Sequence, residues 1–177
     1  MTERIIIAGA GGQGIMLLGK VLATAAMKEN KFVTWLPAYG PEVRGGKAHC
    51  MVVVSDVEIG SPYINKADSL IIMNAPSYDK FKDRLISSGV LILNSSLVNI
   101  KPKKGRNILS YPFTSIADKL GNQKIANMVA LGCFLAKTKI VDAKTVLRSI
   151  EEMAPVDKKG LVEINKQALL EGVNFSK

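Results

Sequence analysis

Arg4-Ile-Ile-Ile-Ala-Gly-Ala-Gly-Gly-Gln-Gly-Ile-Met-Leu-Leu-Gly-Lys20 is the stretch from which the fold of this chain is read. Ile5, Ile6, Ile7 and Ala8 form an apolar run with the character of a strand buried on both faces. Gly9, Gly11, Gly12 and Gly14 follow. A helical pattern then begins, with Ile15, Leu18, Val21, Leu22 and Ala25 at three- and four-residue spacings. Strand, glycine turn and helix are the start of an open, mostly parallel α/β sheet. The arrangement sets free backbone N–H groups at a helix N-terminus, where an anion is favoured.

The spacing Gly9-x-Gly11-x-x-Gly14 matches the dinucleotide fingerprint, which by itself is weak evidence. An acidic residue is expected about 20 residues on, at the end of the second strand, to hold a ribose hydroxyl. That strand, residues 31–36, leads instead into Pro37, Ala38 and Tyr39, and Glu29 precedes it. Nicotinamide dinucleotide binding is therefore not expected. Gln13 sits inside the turn, where its amide could reach a ligand or a partner chain. The alternative reading is that the glycines only permit a tight turn and close helix–strand packing.

The 177 residues suggest one domain over 1–177, and 47% hydrophobic residues suffice for a core. No apolar run is long enough to span a bilayer, and the first residues enter a strand without a signal-peptide pattern. A cytoplasmic protein with no membrane partner is expected. Cys50 and Cys133 are far apart, too few for an iron–sulfur cluster and without zinc spacing. His49 is the only histidine, so any histidine-based catalytic or metal site would have to include it. The net charge of +9 suits an anionic ligand or an acidic partner. The one dense basic run, 101–106, lacks aromatic residues and reads as a solvated loop, so nucleic acid is not an expected partner.

Residues 37–46 read as a shaped loop with Tyr39, Glu42 and Arg44 as binding residues. A strand over 48–55 is expected to pair with 57–59 as a hairpin, giving one antiparallel stretch. Further strands end at Asn74 and Asn94, either as part of a ligand crevice or because asparagine suits a turn. Helices are expected from Pro76 to about Ser87, over 114–120, over 125–137, from an Asp142 cap to about Glu152, and from an Asp157 cap to Leu170, with Gly172 ending the last. The 125–137 helix is apolar nearly all round, so it is buried in the domain or against another chain. No P-loop and no paired set of carboxylates is present. The expected fold is thus Rossmann-like α/β, with helices on both faces of the sheet and no self-sufficient catalytic set.

Gly9-Ala-Gly-Gly-Gln-Gly-Ile15, the loop Ala38-Tyr-Gly-Pro-Glu-Val-Arg-Gly-Gly46 and the strand ending Val54-Ser55 resemble the gamma subunit of 2-oxoacid:ferredoxin oxidoreductases. Ala126-Asn-Met-Val-Ala-Leu-Gly132 and the pattern Asn165…Ala168…Gly172 fit the same family. The form of the 39–46 loop resembles the 2-oxoglutarate and branched-chain members. The resemblance implies a multisubunit complex of anaerobic metabolism that converts a 2-oxoacid, coenzyme A and oxidised ferredoxin into acyl-CoA, CO2 and reduced ferredoxin. It implies thiamine diphosphate and iron–sulfur clusters in alpha, beta and ferredoxin-like partner subunits. For this chain it implies part of the coenzyme A pocket, with Gly9, Gly11, Gly12, Gln13, Gly14, Arg44 and Asn127 as candidate binding residues. Tyr39, Gly40, Pro41, Glu42, Arg44, Gly45 and Gly46 are candidates for the partner interface, and no residue is assigned to catalysis or metal. The isolated chain is expected to be inactive and capable of pairing with itself. The alternatives are a stand-alone acyl-CoA or nucleotide-binding protein and a purely structural subunit.

Overall fold

Strand β1 (Thr2–Ala10) lies inside a six-stranded sheet, and Ile5, Ile6, Ile7 and Ala8 are wholly buried. The computed structural model describes residues 1–39, 47–100, 107–155 and 159–175. Helix α1 (Ile15–Lys28) follows the glycine turn, and the chain returns through β2 (Phe32–Tyr39) and β3 (Lys47–Ser55). Then come β4 (Ala67–Ile72), α2 (Ala75–Phe81), β5 (Leu85–Asn94) and β6 (Asn107–Tyr111). Helices α3 (Phe113–Lys119), α4 (Ala126–Thr138), α5 (Ala143–Met153) and α6 (Lys159–Phe175) complete the described chain. The strand order is β2-β3-β1-β4-β5-β6. β1, β4, β5 and β6 run parallel, while β3 runs against both β1 and β2. The expected α/β sheet with one antiparallel stretch is what is found.

The two faces of the sheet are covered unequally. Ile5, Ile7, Cys50, Val52, Val54, Ile71 and Ile92 share one core with residues of α1, α3, α4, α5 and α6. Ile6, Ala8, Met51, Val53, Leu70 and Ile72 share the other with Phe81 of α2 and with Ile64 and Val98 from loops. The alternation of β1 residues between the two cores is the period-two geometry of a strand.

Four details differ from the expectation. Residues 57–59 form no strand, because β3 already has a partner on each edge; its hairpin partner is β2, with Tyr39 opposite Ala48. Pro37 lies within β2 rather than starting a loop, which an edge strand tolerates because its outer N–H positions need no ladder partner. The helix expected to reach Ser87 stops at Phe81, and Ser87, Ser88 and Gly89 belong to β5. A Cβ on Gly89 would lie 2.7 Å from the Asp68 carbonyl oxygen, so this glycine lets adjacent backbones approach. Gly172 does not end the last helix but sits inside α6, against α4. The Gly40–Gly46 candidates, including Glu42 and Arg44, the basic run 101–106 and the expected cap Asp157 lie outside the described residues.

Residues Ala126 to Leu135 of α4 are all buried, as an all-round apolar helix requires. Its contact with α6 is set by two reciprocal glycines. A Cβ on Gly132 would lie 2.0 Å from the Leu169 carbonyl oxygen, and one on Gly172 would lie 2.0 Å from that of Val129. The obstructing atoms are backbone, so a methyl at either position must push the helices apart. Gly172→Ala is expected to lower stability in urea unfolding by about 1–3 kcal/mol, the usual scale of overpacking. Gly160→Ala, where a Cβ meets open space, is expected to be neutral or stabilising by up to about 1 kcal/mol through helix propensity. Equal effects of the two substitutions would contradict this packing.

Candidate functional site

The carboxyl ends of β1, β4 and β5 border a crevice of about 250 Å³. Gly12 and Gln13 of the glycine turn line it, with Met73 beyond β4, Leu97 beyond β5, Thr114 of α3, and Lys124 and Ala126 at the approach to α4. In open α/β sheets, ligands bind at this end of the strands.

Gly12 and Gly14 have φ of +90° and +69°, a region that L side chains rarely adopt. Nothing lies within 4 Å of a Cβ built on Gly12, so its outer face is open. Gly9 and Gly14 are different, since a Cβ would lie 2.6 Å from Gln13 Oε1 at the first and 2.3 Å from Asn127 Nδ2 at the second. Gly11 is exposed. Gly14 is the N-cap of α1; no side chain caps this end and no acidic residue sits in its first turn. The end of the helix dipole that favours anions thus begins beside the crevice.

The amide of Gln13 turns inward. Its Oε1 accepts from the Ala10 N–H at 2.7 Å, and its Nε2 donates to the Met73 carbonyl at 3.4 Å. Asn127 is 2% exposed. Its Nδ2 donates to the Gly14 carbonyl at 3.0 Å, and its Oδ1 accepts from the Met128 N–H at 2.9 Å, which satisfies a first-turn donor of α4. Gln13 therefore ties the turn to β4, and Asn127 ties it to α4.

The strand-end asparagines are also bonded within the chain. Asn74 caps α2 by accepting from the Ser77 N–H at 3.0 Å. Asn94 is wholly buried; its Nδ2 donates to the Met73 carbonyl at 3.3 Å and to Thr114 Oγ1 at 2.9 Å. Its Oδ1 accepts from the N–H groups of Ser96 and Thr114, at 3.3 and 3.4 Å. Asn94 thus serves both readings of a strand-end asparagine: it holds a turn, and it does so behind the crevice wall.

The dinucleotide reading loses its second element too. β3 stands between β1 and β2, so the end of β2 is two strands from the glycine turn. Glu29 accepts from the Asp142 N–H at 2.8 Å at the start of α5. His49 is half-buried with its ring 4.9 Å from that of Phe81. Burial, with Lys80 and Arg84 nearby, lowers its pKa below 6.5. Burial pushes the Cys50 thiol up to about 12, with the Trp35 indole a smaller opposing influence, so it is not a thiolate nucleophile at neutral pH. Among the described residues no three His, Cys, Asp or Glu side chains group as metal ligands, and no helix is long and apolar enough to cross a membrane.

Of the expected ligand residues, Gly12 and Gln13 face the crevice, and Gly9, Gly14 and Asn127 build the turn behind it. Tyr39 ends β2 beside β3, and Arg44 lies outside the described residues. Thr114 and Lys124 were not singled out by sequence. Thr114 lies at the start of the helix that follows β6, where crevice residues of α/β sheets lie; no comparable signal marks Lys124, which sits between α3 and α4.

The profile of the family described as pyruvate ferredoxin/flavodoxin oxidoreductase matches residues 4–175. The 2-oxoglutarate synthase subunit KorC of Methanocaldococcus jannaschii is 35% identical over 181 residues, which cover 100% of this chain and 95% of that protein. The ketoisovalerate oxidoreductase subunit VorA of Methanothermobacter thermautotrophicus is 33% identical over 98% of this chain, but the chain spans only 36% of VorA. The keto/oxoacid ferredoxin oxidoreductase gamma subunit of Geobacter sulfurreducens has the same fold, with a TM-score of 0.84 and 30% identity over 98% of each chain. The fold also recurs in the 2-oxoglutarate:ferredoxin oxidoreductase of Magnetococcus marinus, solved with 2-oxoglutarate, coenzyme A and succinyl-CoA bound. There the TM-score is 0.90 and the identity 21%, over 99% of this chain and 31% of that one.

A lowered histidine pKa makes a signed prediction. The unfolded chain takes up a proton at His49 near pH 6.5 and the folded chain only at lower pH. The contribution of neutral His49 is therefore complete above about pH 6.5 and is lost as the pH falls through and below that value. Urea unfolding at pH 7 and pH 5 is expected to show a smaller loss of stability for His49→Gln than for the unmodified chain. The difference between the two proteins isolates His49 from Glu3, whose raised pKa, due to burial, acts in the opposite sense. Identical pH slopes would contradict the assignment.

Proposed function

The chain belongs to the pyruvate ferredoxin/flavodoxin oxidoreductase family, and from that premise we propose that it is the gamma subunit of a multisubunit 2-oxoacid:ferredoxin oxidoreductase. The observation that carries this reading is correspondence along nearly the full length of both chains with a solved gamma subunit and with KorC. The complex would convert a 2-oxoacid, coenzyme A and oxidised ferredoxin into acyl-CoA, CO2 and reduced ferredoxin. The acid is 2-oxoglutarate or 2-oxoisovalerate, the substrate types in the names of KorC and VorA.

Thiamine diphosphate and the iron–sulfur clusters belong in this reading to alpha, beta and ferredoxin-like subunits in the cytoplasm, where they supply decarboxylation and electron transfer. This chain is not suited to a cluster, since its two cysteines are buried on β3 and α4. Its own share is binding. Coenzyme A carries phosphates, and the crevice combines an open glycine turn, an uncapped helix N-terminus and Lys124. Gly11, Gly12 and Gln13 form the wall against which the ligand rests, braced by Gly9, Gly14 and Asn127. Tyr39 and the 40–46 segment, Arg44 included, meet the partner chains. We assign no proton transfer to this chain.

A purely structural subunit is the second reading, favoured by the amides of Gln13 and Asn127 being bonded within the chain. Gly12→Asn separates the two readings. Asparagine tolerates positive φ better than most residues, and its side chain would occupy the open face of the crevice. In the complex, recovered anaerobically through a tag on this chain and assayed by viologen reduction, the KM for coenzyme A is expected to rise at least about fivefold, on the scale of one lost hydrogen bond. Unchanged coenzyme A kinetics would favour the structural subunit. Recovery of the chain alone, without oxoacid-dependent activity, would overturn the complex itself. Activity with 2-oxoglutarate against 2-oxoisovalerate identifies the substrate.

A further inference from the structure

The polar groups on the crevice wall can be sorted into those already used and those still available, because the hydrogen bonds around Asn94 fix its orientation. Asn94 Oδ1 lies within reach of two backbone N–H groups, those of Ser96 and Thr114, and an N–H can only donate. The other end of the amide is then Nδ2, which donates to Thr114 Oγ1 at 2.9 Å and to the Met73 carbonyl at 3.3 Å. Thr114 Oγ1 is thereby an acceptor from Asn94, and its own proton is left over. Among the described residues no acceptor for that proton is found, and Thr114 lines the crevice.

The Met73 carbonyl on the same wall already takes two amide donors, from Asn94 and Gln13. Gln13 Oε1 is engaged by Ala10. Lys124 also lines the crevice and makes no ion pair among the described residues. Gln123 lines the crevice too; its Nε2 donates to Asp118 Oδ1 at 2.9 Å, which leaves its Oε1 as an acceptor. The groups still available are thus a neutral hydroxyl donor, an amide oxygen and one ammonium, and the ammonium, the one charged side chain among the lining residues, selects an anion over a neutral ligand.

We infer that Thr114 and Lys124 form the phosphate-binding wall of the crevice, with the Thr114 hydroxyl, set as a donor by buried Asn94, bonded to a phosphoryl oxygen and Lys124 supplying the opposing charge. The assignment rests on the coenzyme A reading above and makes the diphosphate of that molecule the part this subunit recognises. The rest of coenzyme A contributes less here.

The test compares coenzyme A with pantetheine, which lacks the phosphates, in the assembled complex. Thr114→Val keeps the side-chain shape and removes the hydroxyl. It is expected to raise the KM for coenzyme A about tenfold, the scale of one hydrogen bond to a charged group, and to leave the inhibition constant of pantetheine within about twofold. Thr114→Ser retains the donor and is expected to restore most of the coenzyme A affinity. Lys124→Ala is expected to raise the same KM and to weaken its dependence on ionic strength. Loss of coenzyme A and pantetheine binding in equal measure would mean that Thr114 is only structural, and would overturn the inference. A rise in the KM for the oxoacid instead of coenzyme A would overturn it as well. If Gly12→Asn raises the coenzyme A KM while Thr114→Val and Lys124→Ala do not, this wall is wrong and the pocket stands. If none of the three does, the pocket reading itself falls.

Discussion

The bond from Asn127 Nδ2 to the Gly14 carbonyl is the constraint on which the crevice depends. It joins the starts of two helices packed on one face of the sheet, and it needs a glycine at 14, since a Cβ there would collide with the same amide. Gln13 and Asn94 perform related tasks, and their amides meet at the Met73 carbonyl from opposite sides. Three side-chain amides thus bind backbone at the carboxyl end of the sheet. Each partly or fully buried amide bonded in this way avoids the desolvation penalty of an unpaired polar group and gives the turn a single conformation. Rigidity of the rim also fixes the direction of its backbone N–H groups, which have no rotamers with which to adapt.

The strand, turn and helix at the start of the chain were legible because each has a local cause: a buried apolar run, glycines at strained φ and a three-to-four-residue repeat. The Asp142 cap and the buried α4 were legible for the same reason. What was not legible depends on contacts between distant segments. Nothing local distinguishes Gly172, which admits the backbone of Val129, from a glycine that ends a helix. The pairing of β3 could not be read from residues 48–59 alone, since both its edges are taken by strands earlier in the chain. In the site, Gly12 could be recognised as a turn glycine, but the inward direction of the Gln13 amide could not, because its acceptor is 60 residues away. Thr114 acquires its donor character from an asparagine 20 residues upstream.

The division of the sheet into two unlike faces also bears on function. Among the described residues, five helices cover one face, and α2 with flanking loops covers the other. The crevice opens where α1, α3 and α4 begin, so three helix N-termini on the thick side surround it. A chain with an overall charge of +9 adds a long-range attraction for polyanions to the local one. These effects favour anions as a class.

The Asn127–Gly14 bond has a temporal side as well. Its two residues are 113 positions apart, and Gly14 is synthesised first. The glycine turn leaves the ribosome with its strand and helix, yet the group that braces it arrives only with α4. Closing so long a loop carries an entropy cost that the bond can offset only once α4 is in place. The crevice therefore reaches its final form only after α4 has been made, well after the glycine turn that announces it.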